Sequence, residues 1–319
     1  MDRSVCFDNP ISRPAVDESV SSALGTARII AALGHRRGAR GARGAGREGE
    51  SQVDPDVVPH GLSVPSVPNI ARAYDAALGG KDNYAVDRVF VERLKGVAPD
   101  ITVAARTNRQ ALIRGVRFLA AEAGIRQFLD LGSGLPSAQN THQVAQRVDP
   151  EARIVYVDKD PTVLAYGRAL LVENEHTTVV TADLRDPVAV LDSPAVKGLI
   201  DFSRPVAVLL VAILHHLEDA EDPAGLVRTY LDAVPAGSYL FITHFCRSFP
   251  AADDLEQSFQ TMLGSGRFRT REEIGRYFTG LEMVEPGLVP VAQWRPEGPL
   301  RRDPTVGERM HIAGIARKP

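Results

Sequence analysis

The stretch "QFLDLGSGLPSAQNTH" (residues 127–142) joins an apolar run, ended by Asp130, to two closely spaced glycines and then to helix-compatible sequence. A strand that runs through a glycine turn into a helix is the opening unit of an open α/β sheet, and ligands bind there at the carboxyl ends of the strands. Gly132 and Gly134 permit positive φ and let a ligand approach the backbone where a Cβ would clash. A bare G-x-G is a weak signal alone, because glycine after a strand often marks only a tight turn.

Downstream, short apolar runs alternate with helices. The runs "RQFLDL" (126–131), "ARIVYVD" (152–158), "TTVVTAD" (177–183), "PVAVLLVAIL" (205–214) and "SYLFITHF" (238–245) show little polar alternation, as expected of strands covered on both faces. Asp160-Pro161 and Asp222-Pro223 each place a capping acid before a proline at a helix start, and Thr270 with Glu273 forms a capping-box pattern. Two more strand candidates, 281–294 and 310–317, follow with no helix expected between them. The order predicts a doubly wound, Rossmann-like sheet of five parallel strands closed by an antiparallel β-hairpin. Upstream, a short helical pattern breaks at Gly79-Gly80. The apolar positions Leu112, Ile113, Val116, Leu119, Ala120 and Ala123 then mark one long amphipathic helix over 101–123.

Three acids narrow the ligand of the glycine turn. Asp158 ends the second run, where a carboxylate can accept both hydroxyls of a ribose. Asp183 ends the third, where an acid can receive the exocyclic amino group of an adenine; its alternative role is a helix cap. Asp130 beside the turn would repel a pyrophosphate and attract an α-ammonium group. Ser137 stands where the dinucleotide fingerprint needs its third glycine. S-adenosylmethionine therefore matches these positions better than NAD does. The candidate cofactor set is Asp130, Gly132, Ser133, Gly134, Asp158, Lys159, Asp183 and Leu184, joined by Tyr74 and Lys81 from "YDAALGGKDNY" (74–84), read as part of a lid. The alternative for that segment is a helix end with a surface lysine.

The segments "ARAYDAALGGKDNYAVDR", "RQFLDLGSGLPSAQNTHQVAQ", "ARIVYVDKDPTVLAYGRALL", "TADLRDP", "PVAVLLVAILHHLEDAEDPAGLVR" and "RTREEIGRYFTGLEMVEPGLVPVAQWRP" resemble an actinobacterial S-adenosylmethionine-dependent methyltransferase family first catalogued as a domain of unknown function. The resemblance runs from about Pro68 to Lys318. It implies a class I methyltransferase sheet with cofactor contacts at Asp130, Gly132, Gly134, Asp158 and Asp183, and it brings no substrate with it.

Methyl transfer asks chiefly for a nucleophile held in line in a water-poor site, with a base where that nucleophile is protonated. His215 and His216, in "LHHLEDAED" after the fourth run, and His244, ending the fifth, are the candidate proton acceptors. Two adjacent histidines without ligand spacing do not suggest a metal. Trp294 is read either as a pocket wall or as hairpin core. Arg267, Arg269 and Arg271 are read as an anion-attracting cluster or a solvated face.

Composition sets the outer limits. The 319 residues are 44% hydrophobic and 24% charged, as in a soluble globular protein. Of the net charge of −3, residues 34–50 carry +3, so the remainder is acidic and poorly suited to sequence-independent nucleic-acid binding. No Asn/Asp-Pro-Pro-aromatic tetrapeptide follows the fourth run; "AILHHL" stands there. Two cysteines, no secretory signal and no long apolar stretch predict a cytoplasmic protein without membrane contact. The expected domains are a low-complexity tail that should be disordered (1–60), a helical cap or lid (61–124) and a cofactor-binding domain (125–319). A small-molecule methyltransferase is the favoured reading, and a cofactor-binding regulatory protein without transfer activity is the alternative.

Overall fold

The computed structural model describes residues 65–137, 139–170, 174–299 and 303–319, all within one compact unit. The tail expected over 1–60 lies outside the described residues. Helices α1 (Ile70–Leu78), α2 (Ala85–Val97) and α3 (Ile101–Ala121) come first. The alternating part follows as β1 (Gln127–Leu131), α4 (Thr141–Gln146), β2 (Arg153–Asp158), α5 (Pro161–Leu170), β3 (Thr177–Thr181), α6 (Pro187–Leu191), α7 (Pro194–Leu199), β4 (Ala207–Val211), α8 (Pro223–Asp232) and β5 (Tyr239–Phe245). Helices α9 (Ala252–Leu263) and α10 (Arg271–Gly275), strands β6 (Glu282–Met283) and β7 (Val289–Pro290), helix α11 (Val306–Met310) and strand β8 (His311–Arg317) complete it. Among the described residues no helix is long and apolar enough to cross a membrane.

The sheet order is β3-β2-β1-β4-β5-β8-β6, with β7 also pairing β8. Strands β1 to β5 are parallel to their neighbours, and β8 runs antiparallel to β5, β6 and β7. The doubly wound expectation holds. The terminal pair differs in detail: β8 enters between β5 and two-residue strands instead of closing a long hairpin. Pro286 and Pro290 lack the amide hydrogen a continuous ladder needs, so the run 281–294 yields only β6, β7 and a short 3₁₀ turn. A helix, α11, also lies where none was expected. Thr305 accepts from Glu308 N while Thr305 N donates to the Glu308 carboxylate, a capping box that satisfies the first amides of the helix.

Side-chain parity divides the strands between two cores. Leu129, Leu131, Val155, Val157, Val208 and Leu210 pack toward α6, α7 and α8, whereas Phe128, Ile154, Tyr156, Leu209 and Phe241 pack with α3 and α4. Successive strand residues point to opposite faces, so Asp130 shares the α3/α4 face with Phe128. Trp294 is fully buried in that second core, with ring centroids 5.9 Å from Phe118 and 6.1 Å from Phe241. The core reading of this residue is the one observed. A third cluster, centred on Phe90, Phe245, Phe259 and Phe268, joins α2 and α9 above the carboxyl end of β5.

Candidate cofactor and acceptor cavity

The sheet order reverses between β1 and β4, and the glycine turn leaves β1 beside that point. Gly132 N and Ser133 N both donate to Val157 O, at 2.8 and 3.2 Å, so the turn is tied to β2. Gly132 (φ +71°) and Gly134 (φ +66°) are both left-handed, a conformation costly for residues with a Cβ. Their surroundings differ. A Cβ on Gly132 would lie 2.4 Å from Ile213 Cγ1, so the site is closed by packing. A Cβ on Gly134 would meet only Ala71 Cβ, at 3.9 Å. The Gly134 face is thus open toward α1, and the buried Ser133 Oγ beside it has no hydrogen-bond partner.

A cavity of about 480 Å³ opens on this face, within the usual range for small-molecule sites. Gly132, Ser133, Gly134, Asp158, Lys159, Asp183, Leu184 and Tyr74 all line it. Asp158 accepts from Gly134 N at 2.8 Å and from Asp160 N at 3.0 Å; burial raises its pKa, and those two backbone bonds oppose the rise. Asp183 sits two residues beyond the end of β3 and accepts from Arg185 Nε at 2.9 and 3.0 Å. That guanidinium also donates to Glu221 at 2.9 Å, and it holds the Asp183 carboxyl below its usual pKa. The Tyr74 hydroxyl donates to Ala105 O (3.1 Å) and accepts from Asn108 Nδ2 (3.0 Å).

Two members of the expected cofactor set lie elsewhere. Lys81 is exposed beyond the left-handed Gly79 that ends α1, and it does not line the cavity. Asp130 is absent from the lining as well. Its parity turns it under α4, where its carboxylate accepts from Thr141 Oγ1 at 2.7 Å. Burial raises its pKa to about 6, against the opposing Thr141 hydrogen bond.

That shift has a consequence for stability. The folded chain holds the Asp130 proton more tightly than the unfolded chain, so stability falls as pH rises from about 4 to about 6 and stays reduced above that. Holding that proton up to about pH 6 corresponds to about 3 kcal/mol. Asp130→Asn keeps an acceptor for Thr141 but introduces an amide N–H₂ to be satisfied, so a net gain of about 1–2 kcal/mol is expected. Thermal melts should show the variant above wild type by about 3–6 °C at pH 8, with the gap closing toward pH 4. A pH-independent difference would contradict the assignment.

The three candidate histidines separate. His215 and His216, in the 3₁₀ turn Leu214–His216 after β4, line the cavity, whereas His244 does not. His244 Nδ1 is 2.7 Å from Phe245 O, and its Nε2 faces the buried Arg269 guanidinium at 3.3 Å. Both ring nitrogens are thus engaged within the protein, so His244 is not placed to take a proton from an acceptor in the cavity. Arg269 itself donates to Leu214 O, Leu217 O and Asp219, and Arg267 pairs with Asp219. Arg269 is therefore a buried brace of the β4 loop and not part of a solvated face. His216 Nδ1 is 3.0 Å from Ser265 Oγ. Burial lowers the pKa of His215 well below the usual imidazole value and that of His216 to about 3. Among the described residues no group of three or more His, Cys, Asp or Glu side chains is placed to hold a metal ion.

The structure adds lining residues that sequence reasoning did not single out, chief among them Asn108 on α3, Phe259 on α9 and His311 at the start of β8. The antiparallel pairing of Phe245 with His311 brings the last strand to the cavity. A terminal strand placed beside β5 would have exposed this contact from sequence.

The S-adenosyl methyltransferase family matches residues 63–319. A crystal structure from Thermobifida fusca, assigned as a methyltransferase, is 51% identical over 79% of this chain and 95% of that one, with a TM-score of 0.77. A DUF574 family protein from Streptomyces avermitilis is 38% identical over 79% of this chain and 98% of its own, also with a TM-score of 0.77. Among curated proteins none matches.

Proposed function

The chain belongs to the S-adenosyl methyltransferase family, and from that premise we propose that it methylates a small molecule in the cavity beside the glycine turn. One observation carries the reading: the open Gly134 face, Asp158 and Asp183 share a single cavity with an apolar wall supplied by the first three helices. The residues present suit the cofactor, with an unpartnered Ser133 Oγ at the turn and two acids near the ends of successive strands. When bound, S-adenosylmethionine supplies an electrophilic methyl carbon on a sulfonium whose charge disappears on transfer.

In this reading Asp158 receives the ribose hydroxyls with the lone pairs left by Gly134 N and Asp160 N. Asp183, kept ionised by Arg185, receives the adenine amino group. Residues 65–124, the described part of the expected cap, cover the site: Tyr74 and its neighbours on α2 and α3 exclude water, which strengthens positioning and electrostatic effects at the reacting centre. His215 and His216 are the imidazoles that line the cavity; burial keeps both neutral and makes them weak bases, so they face the acceptor as hydrogen-bond partners.

Incubation with methyl-deuterated S-adenosylmethionine and a cell extract tests the proposal. Label should enter the small-molecule fraction with an equal amount of S-adenosylhomocysteine formed. Label found in the nucleic-acid or protein fraction, or cofactor binding with no S-adenosylhomocysteine formed, would contradict it.

A further inference from the structure

Where α2, α3, α9 and the end of β5 wall the cavity its surface is hydrocarbon, with Phe90, Val91, Leu94, Leu112, Phe245 and Phe259 among the lining side chains. Asn108, His215 and His311 interrupt it, 1%, 2% and 2% exposed respectively. Asn108 Oδ1, His215 Nδ1 and both ring nitrogens of His311 have no hydrogen-bond partner. Buried polar atoms are almost always paired, and leaving one unpaired costs about 1–3 kcal/mol. These atoms come from α3, the turn after β4 and the start of β8, segments remote in sequence that converge on one cavity. Stability alone gives no reason to gather them there; a ligand that completes their hydrogen bonds does.

Most charged lining residues come from other segments, Asp158 from the end of β2 and Lys159, Asp160, Asp183, Arg185, Glu218 and Glu221 from the loops after β2, β3 and β4, and Arg109 on α3 turns to Gln139 O and Asn140 in the glycine loop. The aromatic wall is a packed cluster in which the Phe245 ring lies 4.8 Å from His215 and 3.8 Å from His311, and the two imidazoles stand 6.0 Å apart.

We infer that this apolar part is the acceptor subsite and that it takes a neutral, largely apolar molecule bearing hydroxyl groups, held by Asn108, His215 and His311. The inference rests on the cavity being the methyl-transfer site. A hydroxyl both donates and accepts, which matches the mixture of a carbonyl oxygen and neutral imidazoles facing it. An ionised acceptor would face mainly hydrocarbon and neutral polar groups there and would carry much of the cost of desolvation. Burial holds His311 neutral as well, with its pKa lowered to about 3.

Calorimetric titration of the full chain, with and without saturating S-adenosylhomocysteine, tests this using 2-naphthol, 2-naphthoate and 2-naphthylmethylammonium. The neutral phenol should bind at least about tenfold more tightly than either ion. His311→Phe should weaken 2-naphthol by about fivefold or more while its affinity for S-adenosylhomocysteine stays that of wild type, which also reports that the variant folds. Equal or tighter binding of an ion, no binding of any probe, or an unchanged His311→Phe affinity would overturn the inference. Failure of S-adenosylhomocysteine to bind would count against the cofactor reading instead, and the probe series without it would still decide this one.

Discussion

Arg269→Leu is expected to lower the melting temperature by about 10 °C, the largest stability effect foreseen for a single side chain near the cavity. The guanidinium is 4% exposed and donates to Leu214 O at 3.1 Å, Leu217 O at 2.9 Å and Asp219 Oδ1 at 2.8 Å, with His244 Nε2 at 3.3 Å. Leucine removes the Arg269 donor from the Leu217 carbonyl and from a buried imidazole nitrogen, and leaves Leu214 O with only the Leu217 N–H, at 3.2 Å. Breaking a buried charged network of this kind costs about 3–5 kcal/mol. The exposed Asp219 is a minor partner, since exposed ion pairs contribute little. Because the same carbonyls set the path of the turn carrying His215 and His216, cofactor affinity should fall as well. Arg269→Lys keeps the charge but loses the planar fork, and should lie between the two. Differential scanning calorimetry showing a drop below about 2 °C would contradict the brace assigned to Arg269.

Asp158→Ala is expected to weaken S-adenosylmethionine binding by about a hundredfold. Each hydrogen bond between a carboxylate and a ribose hydroxyl contributes about 1.5–3 kcal/mol, so losing two removes roughly 3 kcal/mol or more. Alanine also removes the acceptor for Gly134 N and Asp160 N, which loosens the glycine turn and adds to the loss. Asp158→Asn can still accept from Gly134 N and should bind with intermediate affinity. Affinity unchanged in the alanine variant would remove Asp158 from the cofactor site.

The parts of this account that were legible in the sequence are those set by local rules. Apolar runs separated by capped helices specify parallel strands, and the glycine turn with Asp158 and Asp183 follows from position at strand ends. The candidate residues that lie away from the cavity do so for identifiable reasons. Asp130 follows the glycine turn's chemistry in sequence but the strand's parity in space, and parity puts it with Phe128 under α4. His244 and His215 both stand near strand ends, and no local pattern says that one meets Arg269 while the other meets the cavity. Asn108 and His311 are separated by about two hundred residues, so their convergence depends on how α3 and β8 pack. Helix α11 was readable from Thr305 and Glu308, whereas the broken run 281–294 needed its prolines weighed against its apolar content.

The central claim is that the glycine turn holds S-adenosylmethionine, and titration calorimetry of the full chain with S-adenosylmethionine, S-adenosylhomocysteine and NAD tests it most directly. The account predicts binding of the first two near the micromolar level, about −8 kcal/mol, with no heat from NAD. Binding of NAD alone, or of none of the three, would contradict it.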